Sequence, residues 1–142
     1  VCRKASSKLT EADIELLTAS VAEMQRAAAA DDRASWSAAD LAFHRTVNTI
    51  ADNQLVADTV KETRRRIQRF WMRAASLQSR LEACSQEHLV LANAIIAQDY
   101  DAIEPAVKEH IGHMRGRMIE MLEAAGATMG EGKEAGGGWS WL

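Results

Sequence analysis

The chain has 142 residues, 47% of them hydrophobic, and a net charge of −3. That length supports one domain with its own core, and the acidic balance excludes a protein that works by non-specific grip on nucleic acid or anionic membrane. Two cysteines, Cys2 and Cys84, are too few for a secreted disulfide scaffold, and no apolar run approaches the roughly 20 residues of a membrane span, so a reduced, cytoplasmic setting is expected.

Residues 1–9 read as the remnant of a preceding helix or linker, in a chain that does not begin with Met and reads as part of something longer. Thr10 opens the first long helix, with Asp13 three residues on as a variant capping box. Ile14, Leu17, Val21 and Met24 then recur at helical spacing up to about Ala30. Asp31-Asp32 breaks that pattern and can cap the next helix, Arg33 to Ile50, whose stripe is Trp36, Asp40, Phe43, Val47 and Ile50. After a turn at residues 51–53, a helix from Gln54 to about Ala75 carries Val56, Val60, Thr63, Ile67, Phe70 and Ala74. The next, about Leu77 to Gln98, carries Leu77, Leu81, Cys84, His88, Leu91 and Ile95.

The last helix, about Ala102 to Glu123, carries Ile103, Val107, His110, Met114, Met118 and Met121. Pro105 lies near its start, where a missing N–H costs least; an earlier start would kink it there. Residues 124–142, rich in glycine and ending in Trp139-Ser140-Trp141-Leu142, read as a flexible tail. No stretch alternates with period two, so no strands are expected. About five amphipathic helices joined by short links predict an all-α antiparallel bundle spanning residues 10–123.

The informative residues are those that interrupt the stripes. Asp40, His88 and His110 occupy core-facing positions, and His44 follows Asp40 by four residues on the same helical face. A buried charge or imidazole is costly unless it is paired or ligates a metal. One such histidine would pass as a hydrogen-bonded core residue. Three histidines and an aspartate on the inner faces of three helices point to a divalent-metal site, with zinc first and Ni, Mn, Co or Fe also suited. The competing reading is a buried Asp–His network without metal. His113, at the edge of its stripe, reads as a surface histidine. Cys84 reads as a small buried hydrophobe.

The segment Arg64 to Arg73 is the densest basic run. Most of it must be a solvated face. One arginine turned inward could grip an anionic ligand bidentately; the stripe favours Arg66, followed by Arg69 and Arg73.

Three segments carry a family likeness: AADLAFHRTVNTIADNQLV at 38–56, EHLVLANAIIAQD at 87–99 and AVKEHIGHM at 106–114. Together they resemble the FCD (FadR C-terminal) ligand-binding domain of GntR-family transcription regulators, over roughly residues 10–122. The resemblance implies a helical bundle of six or seven helices and a divalent metal held by one Asp and three His, which fall on Asp40, His44, His88 and His110. It also implies an open coordination edge for a small organic acid, and a homodimer. The family's winged helix-turn-helix domain is not among these residues, so DNA enters only through such a domain.

Effector sensing is therefore the expected function, in a domain that is not an enzyme. The alternative is a helical-bundle metalloenzyme using metal-activated water, or a domain whose metal only staples helices. Against catalysis, no spare carboxylate stands out beside the ligands, and the Glu-x-x-His pairs of a di-iron bundle are missing.

Overall fold

The computed structural model describes the backbone at residues 1–71 and 78–131, and the side chains at 1–66 and 80–123. The described residues form six helices and no strand: α1 (Cys2–Ser6), α2 (Glu11–Ala29), α3 (Arg33–Ala51), α4 (Gln54–Trp71), α5 (Gln78–Ile96) and α6 (Tyr100–Glu131). The fold is all-α, as the periodicity predicts, with one helix more than expected. That helix is α1, whose five residues are too few to display a repeat. It is nonetheless tied in: Ala5 and Ser6 are buried, Ser6 Oγ donates to the Ile95 carbonyl at 2.9 Å, and Lys4 Nζ donates to the Asp52 carbonyl at 2.9 Å.

The helix boundaries follow local chemistry. The Thr10 side chain accepts from the Asp13 N–H, while Asp13 accepts from the Thr10 N–H, closing the capping box. Asp32 caps α3 by accepting from the Ser35 N–H at 3.0 Å, and Asn53 accepts from the Val56 N–H at the start of α4. Asp31, Asp52 and Gln98 adopt left-handed backbone at the ends of α2, α3 and α5. After α2 and α5 the next residues donate back five and three positions, the paired bonds that terminate a helix without glycine.

α6 departs from the expected boundaries at both ends. It starts at Tyr100, where Asp99 accepts from the N–H groups of Asp101 and Ala102. Pro105 therefore sits inside the helix and leaves the Asp101 carbonyl without its usual donor. At the other end, backbone helix continues to Glu131, into the segment expected to be a tail. Ala124, Ala125, Ala127 and Met129 favour helix enough to carry it past two glycines. Residues 132–142 lie outside the described residues.

By packing, the chain divides into two units, Val1–Ile111 and Gly112–Leu142. In the first, α2 packs on α3 and α5, and α1 packs on α3. The short link between α2 and α3 makes them antiparallel neighbours. Leu17, Met24, Phe43, Leu81, Ile95 and Ile103 are fully buried, each contributing about 1.5–3 kcal/mol of hydrophobic stabilisation. Every stripe residue of α3 is buried, so its phase is as read. Trp36 is also buried and donates Nε1–H to Ser85 Oγ at 2.9 Å, locking α3 to α5 in register. No helix among the described residues is long and apolar enough to cross a membrane.

Candidate metal centre

The rows that bury Phe43 and Val47 on α3 and Leu81, Leu91 and Ile95 on α5 carry Asp40 and His88 inward with them. His88 has no exposed surface, Asp40 retains 5% and His110 7%. His44, one turn after Asp40, keeps 16% of its side chain exposed. The three imidazoles each offer a nitrogen within 4.8 Å of the others. The Phe43 ring stands edge-on to both His44 and His88, at 5.3 and 5.1 Å between centroids, and forms an apolar wall behind them.

The orientation of His88 is set by its backbone. Its Nδ1–H donates to the Cys84 carbonyl at 2.8 Å, since a carbonyl can only accept. Nε2 is thereby turned to the centre, 3.0 Å from His44 Nε2 and 3.2 Å from Asp40 Oδ1. Asp40 Oδ1 also lies 3.6 Å from His44 Nε2. Ligands about 2.0–2.2 Å from one metal ion stand roughly 3.0–3.6 Å from each other in octahedral or tetrahedral arrangements. The three separations fall in that range. Two imidazole lone pairs facing each other at 3.0 Å repel, so a proton or a cation must lie between them. His44, His88 and His110 form a group able to hold a divalent first-row ion, with Asp40 set against His44 and His88 at its edge, and the carbonyl that holds His88 is the outer support such ligands ordinarily have.

The electrostatics follow from burial and this crowding. Burial opposes charge on His88, but the hydrogen bond to Asp40 and the neighbouring Cys84 carry its pKa up to about 10. Burial pushes His44 down to about 3, against the pull of Asp40. For Asp40, burial is outweighed by His44, His88 and Arg64, which hold the carboxyl well below its usual range. Without metal, then, an imidazolium at His88 faces the Asp40 carboxylate, and His44 is neutral.

The inward arginine is Arg64. Its guanidinium hydrogen-bonds Asp40 Oδ2, while His44 and His88 stand against Oδ1. Arg66, the residue favoured by the sequence, is exposed and pairs with Glu62 at 3.0 Å. The reason is helical phase: Arg64 extends the half-buried row Val56–Val60 by one more turn, whereas Arg66 lies about 200° further round. The expected stripe stepped from Val60 to Thr63, which is exposed. The Arg69 side chain and all of Arg73 lie outside the described residues.

Of two further neighbours, Glu87 escaped the sequence reading and Cys84 was read only as a buried hydrophobe. Glu87 Oε2 accepts from His110 Nδ1–H at 2.8 Å, so a carboxylate does stand beside the cluster. Cys84 is buried as expected, but its sulfur lies 3.8 Å from His88 Nδ1. Burial raises the Cys84 thiol, yet hydrogen bonds to His110 and His88 bring it down to about 7. The i, i+3, i+4 spacing of Cys84, Glu87 and His88 was the available signal. His113 is exposed.

Beside the cluster, a cleft of ≈ 510 Å³ opens between α3 and α4, lined by His44, Arg45, Asn48, Lys61 and Arg64 among others. Among the described residues, Arg64 Nε is buried and has no hydrogen-bond partner.

The profile of the FCD domain family matches residues 1–113. The chain belongs to the FCD domain family. The match starts at residue 1, so the family pattern takes in α1. This FCD domain is 27% identical over 111 residues to the HTH-type transcriptional repressor RspR of Escherichia coli strain K12, covering 78% of this chain and 49% of that protein. It is equally similar to the uncharacterized HTH-type transcriptional regulator YdfH of Shigella flexneri. The chain thus spans about half the length of the curated relatives it matches. No solved structure matches it significantly.

Proposed function

We propose that this FCD domain is the sensing half of a transcription regulator, binding a small carboxylate beside a divalent metal ion. Asp40, His44, His88 and His110 would hold the metal, and zinc, nickel, manganese, cobalt and iron all accept such a set. When bound, the ion supplies a Lewis-acidic anchor for a hard anionic donor. The protein's own groups do the rest. His88 is held by the Cys84 carbonyl, His110 by Glu87, and Asp40 by Arg64. Arg64 replaces Arg66 as the residue that takes the effector carboxylate.

The observation that carries this reading is Arg64 itself. A guanidinium with a buried Nε–H left unpaired lines a cleft that also reaches His44. An unsatisfied buried donor costs about 1–3 kcal/mol, which an anion in the cleft would recover. Lys61 and Arg45 line the same walls, so the three cations there outnumber the two carboxylates, Asp52 and Asp58. The helix-turn-helix regulators among the relatives support sensing over catalysis. In the whole protein, effector binding would shift a homodimer and with it the DNA-binding domains.

Metal analysis followed by calorimetry with a series of mono- and dicarboxylates tests this. The expected result is binding by the metal-loaded protein, lost on chelation and weakened at least about tenfold in Arg64→Ala, with the acid recovered unchanged. Equal affinity with and without metal would overturn the metal's part. Turnover of the acid would overturn sensing in favour of the metalloenzyme.

A further inference from the structure

We propose that Cys84, Glu87 and His110 form a second metal-binding group, selective for thiophilic divalent ions, that shares His110 with the Asp40–His44–His88 group. Cys84 Sγ, a Glu87 carboxylate oxygen and a ring nitrogen of His110 all lie within 4.8 Å of one another. Cys84 and Glu87 project from one face of α5, three residues apart, and His110 meets them from α6. Three protein donors with a fourth position open is a standard arrangement for zinc.

The distances are close to what one ion needs. Around a tetrahedral ion with bonds of about 2.0–2.3 Å, sulfur and nitrogen donors stand roughly 3.3–3.7 Å apart. The Glu87–His110 contact of 2.8 Å must open by about half an ångström, and no pair of donors need close by more than about 1.5 Å from the 4.8 Å within which all three lie. Side-chain rotation covers both. Cys84 keeps 6% of its surface exposed and His110 7%, so the donors sit where water competes little. The Glu87 side chain, 12% exposed, borders solvent and offers an entry.

A simpler role for Glu87 would be to orient His110 for the first group alone. That role does not call for Cys84. A buried sulfur within reach of both the carboxylate and the imidazole makes an S, O, N set in place of a hydrogen-bonded pair. Soft thiolate directs such a set to zinc, cadmium and similar ions, whereas the N and O donors of the first group also suit manganese and iron. Binding would release the thiol proton and the His110 Nδ1 proton to solvent. Since His110 cannot serve both groups unchanged, a thiophilic ion in the second group would weaken the first.

The test uses Cd²⁺ and Co²⁺ as probes on the full chain. Cys2→Ser serves as the parent, because Cys2 is the other free thiol. Both ions give a thiolate-to-metal charge-transfer band in the ultraviolet, at shorter wavelength for Cd²⁺ than for Co²⁺, that imidazole and carboxylate ligands do not. The band is expected in the parent, retained when His44→Ala is added, and lost when Cys84→Ser is added. Glu87→Gln should weaken Cd²⁺ binding at least about tenfold, with helicity by circular dichroism reporting that each variant is folded. No band in the parent would overturn the proposal, as would unchanged Cd²⁺ affinity in both Glu87→Gln and His110→Ala. Because His44 belongs only to the first group, failure of that group and failure of this one give different results.

Discussion

α3 and α4 border the same cleft and carry their polar residues in opposite ways. On α3, Asp40 interrupts a row of buried Trp36, Phe43, Val47 and Ile50, and those neighbours dictate where it points. On the described part of α4, residues 54–66, the inner row Val56–Val60–Arg64 is only half-buried, between exposed charged residues such as Asp58, Lys61, Arg65 and Arg66. Apolar burial orients α3 firmly. Among the described side chains of α4, residues 54–66, an ion pair joins it to α3, Arg64 with Asp40. A polar residue can be read as part of a site when its apolar neighbours settle its direction. Where they do not, one turn's difference decides between a site arginine and a surface arginine.

The sharpest way to break this contrast is His88→Ala. It removes the one imidazole with no exposed surface, whose Nε2 stands 3.0 Å from His44 and 3.2 Å from Asp40. Metal binding should be abolished, and with it the metal-dependent rise in stability, worth about 4 kcal/mol at an ion concentration 1,000 times Kd. Thermal melts with and without added zinc would then coincide. A variant that still gained stability from metal would remove His88 from the centre.

Arg64→Ala comes next. Asp40 would keep its histidines but lose its only guanidinium among the described residues, at a cost of about 1–2 kcal/mol in the metal-free protein. Urea denaturation would measure it. A loss near zero would mean that α4 is not anchored through Asp40.

Smaller again is the pH dependence of the metal-free domain. His44 is held down near 3, so below about 6.5 the unfolded chain takes up a proton that the folded one refuses. Stability should therefore fall on acidification, by at most about 1.4 kcal/mol per pH unit from this group. His88 is raised to about 10, so between about 6.5 and 10 the folded chain holds a proton that the unfolded one has released. Stability should therefore also fall as pH rises through that window. Metal binding takes the Nε2 proton from His88, and His110, whose burial is outweighed by Cys84 and Glu87 so that it too is raised, can release another, so near pH 7 at least about one proton should be released per ion bound. Calorimetry in buffers of different ionisation enthalpy counts it. Zero release would contradict a charged His88.

The smallest effect belongs to Arg66→Ala. Arg66 faces solvent and Glu62, and exposed pairs of this kind contribute little. Neither melting temperature nor carboxylate affinity should change measurably. A drop in affinity matching that of Arg64→Ala would restore Arg66 to the site and reverse the contrast between the two arginines.

Periodicity and local capping chemistry located the five long helices, though not the ends of α6, together with the caps at Thr10 and Asp32 and the inward faces of α2, α3 and α5. Hydrophobic periodicity is a local property, and a helix cannot rotate away from a long apolar stripe without exposing it. Asp40, His88 and His110 were legible for the same reason: each sits within such a stripe. Tertiary structure alone decided which arginine meets Asp40, that Glu87 and Cys84 stand against His110, and that α1 is tied to α5 through Ser6. Those pairings join residues far apart in the chain, and no repeat along a single helix encodes the partner. Structure also decided that His88 turns Nε2 inward, because its ring is set by the Cys84 carbonyl one turn earlier, a bond that side-chain spacing does not reveal.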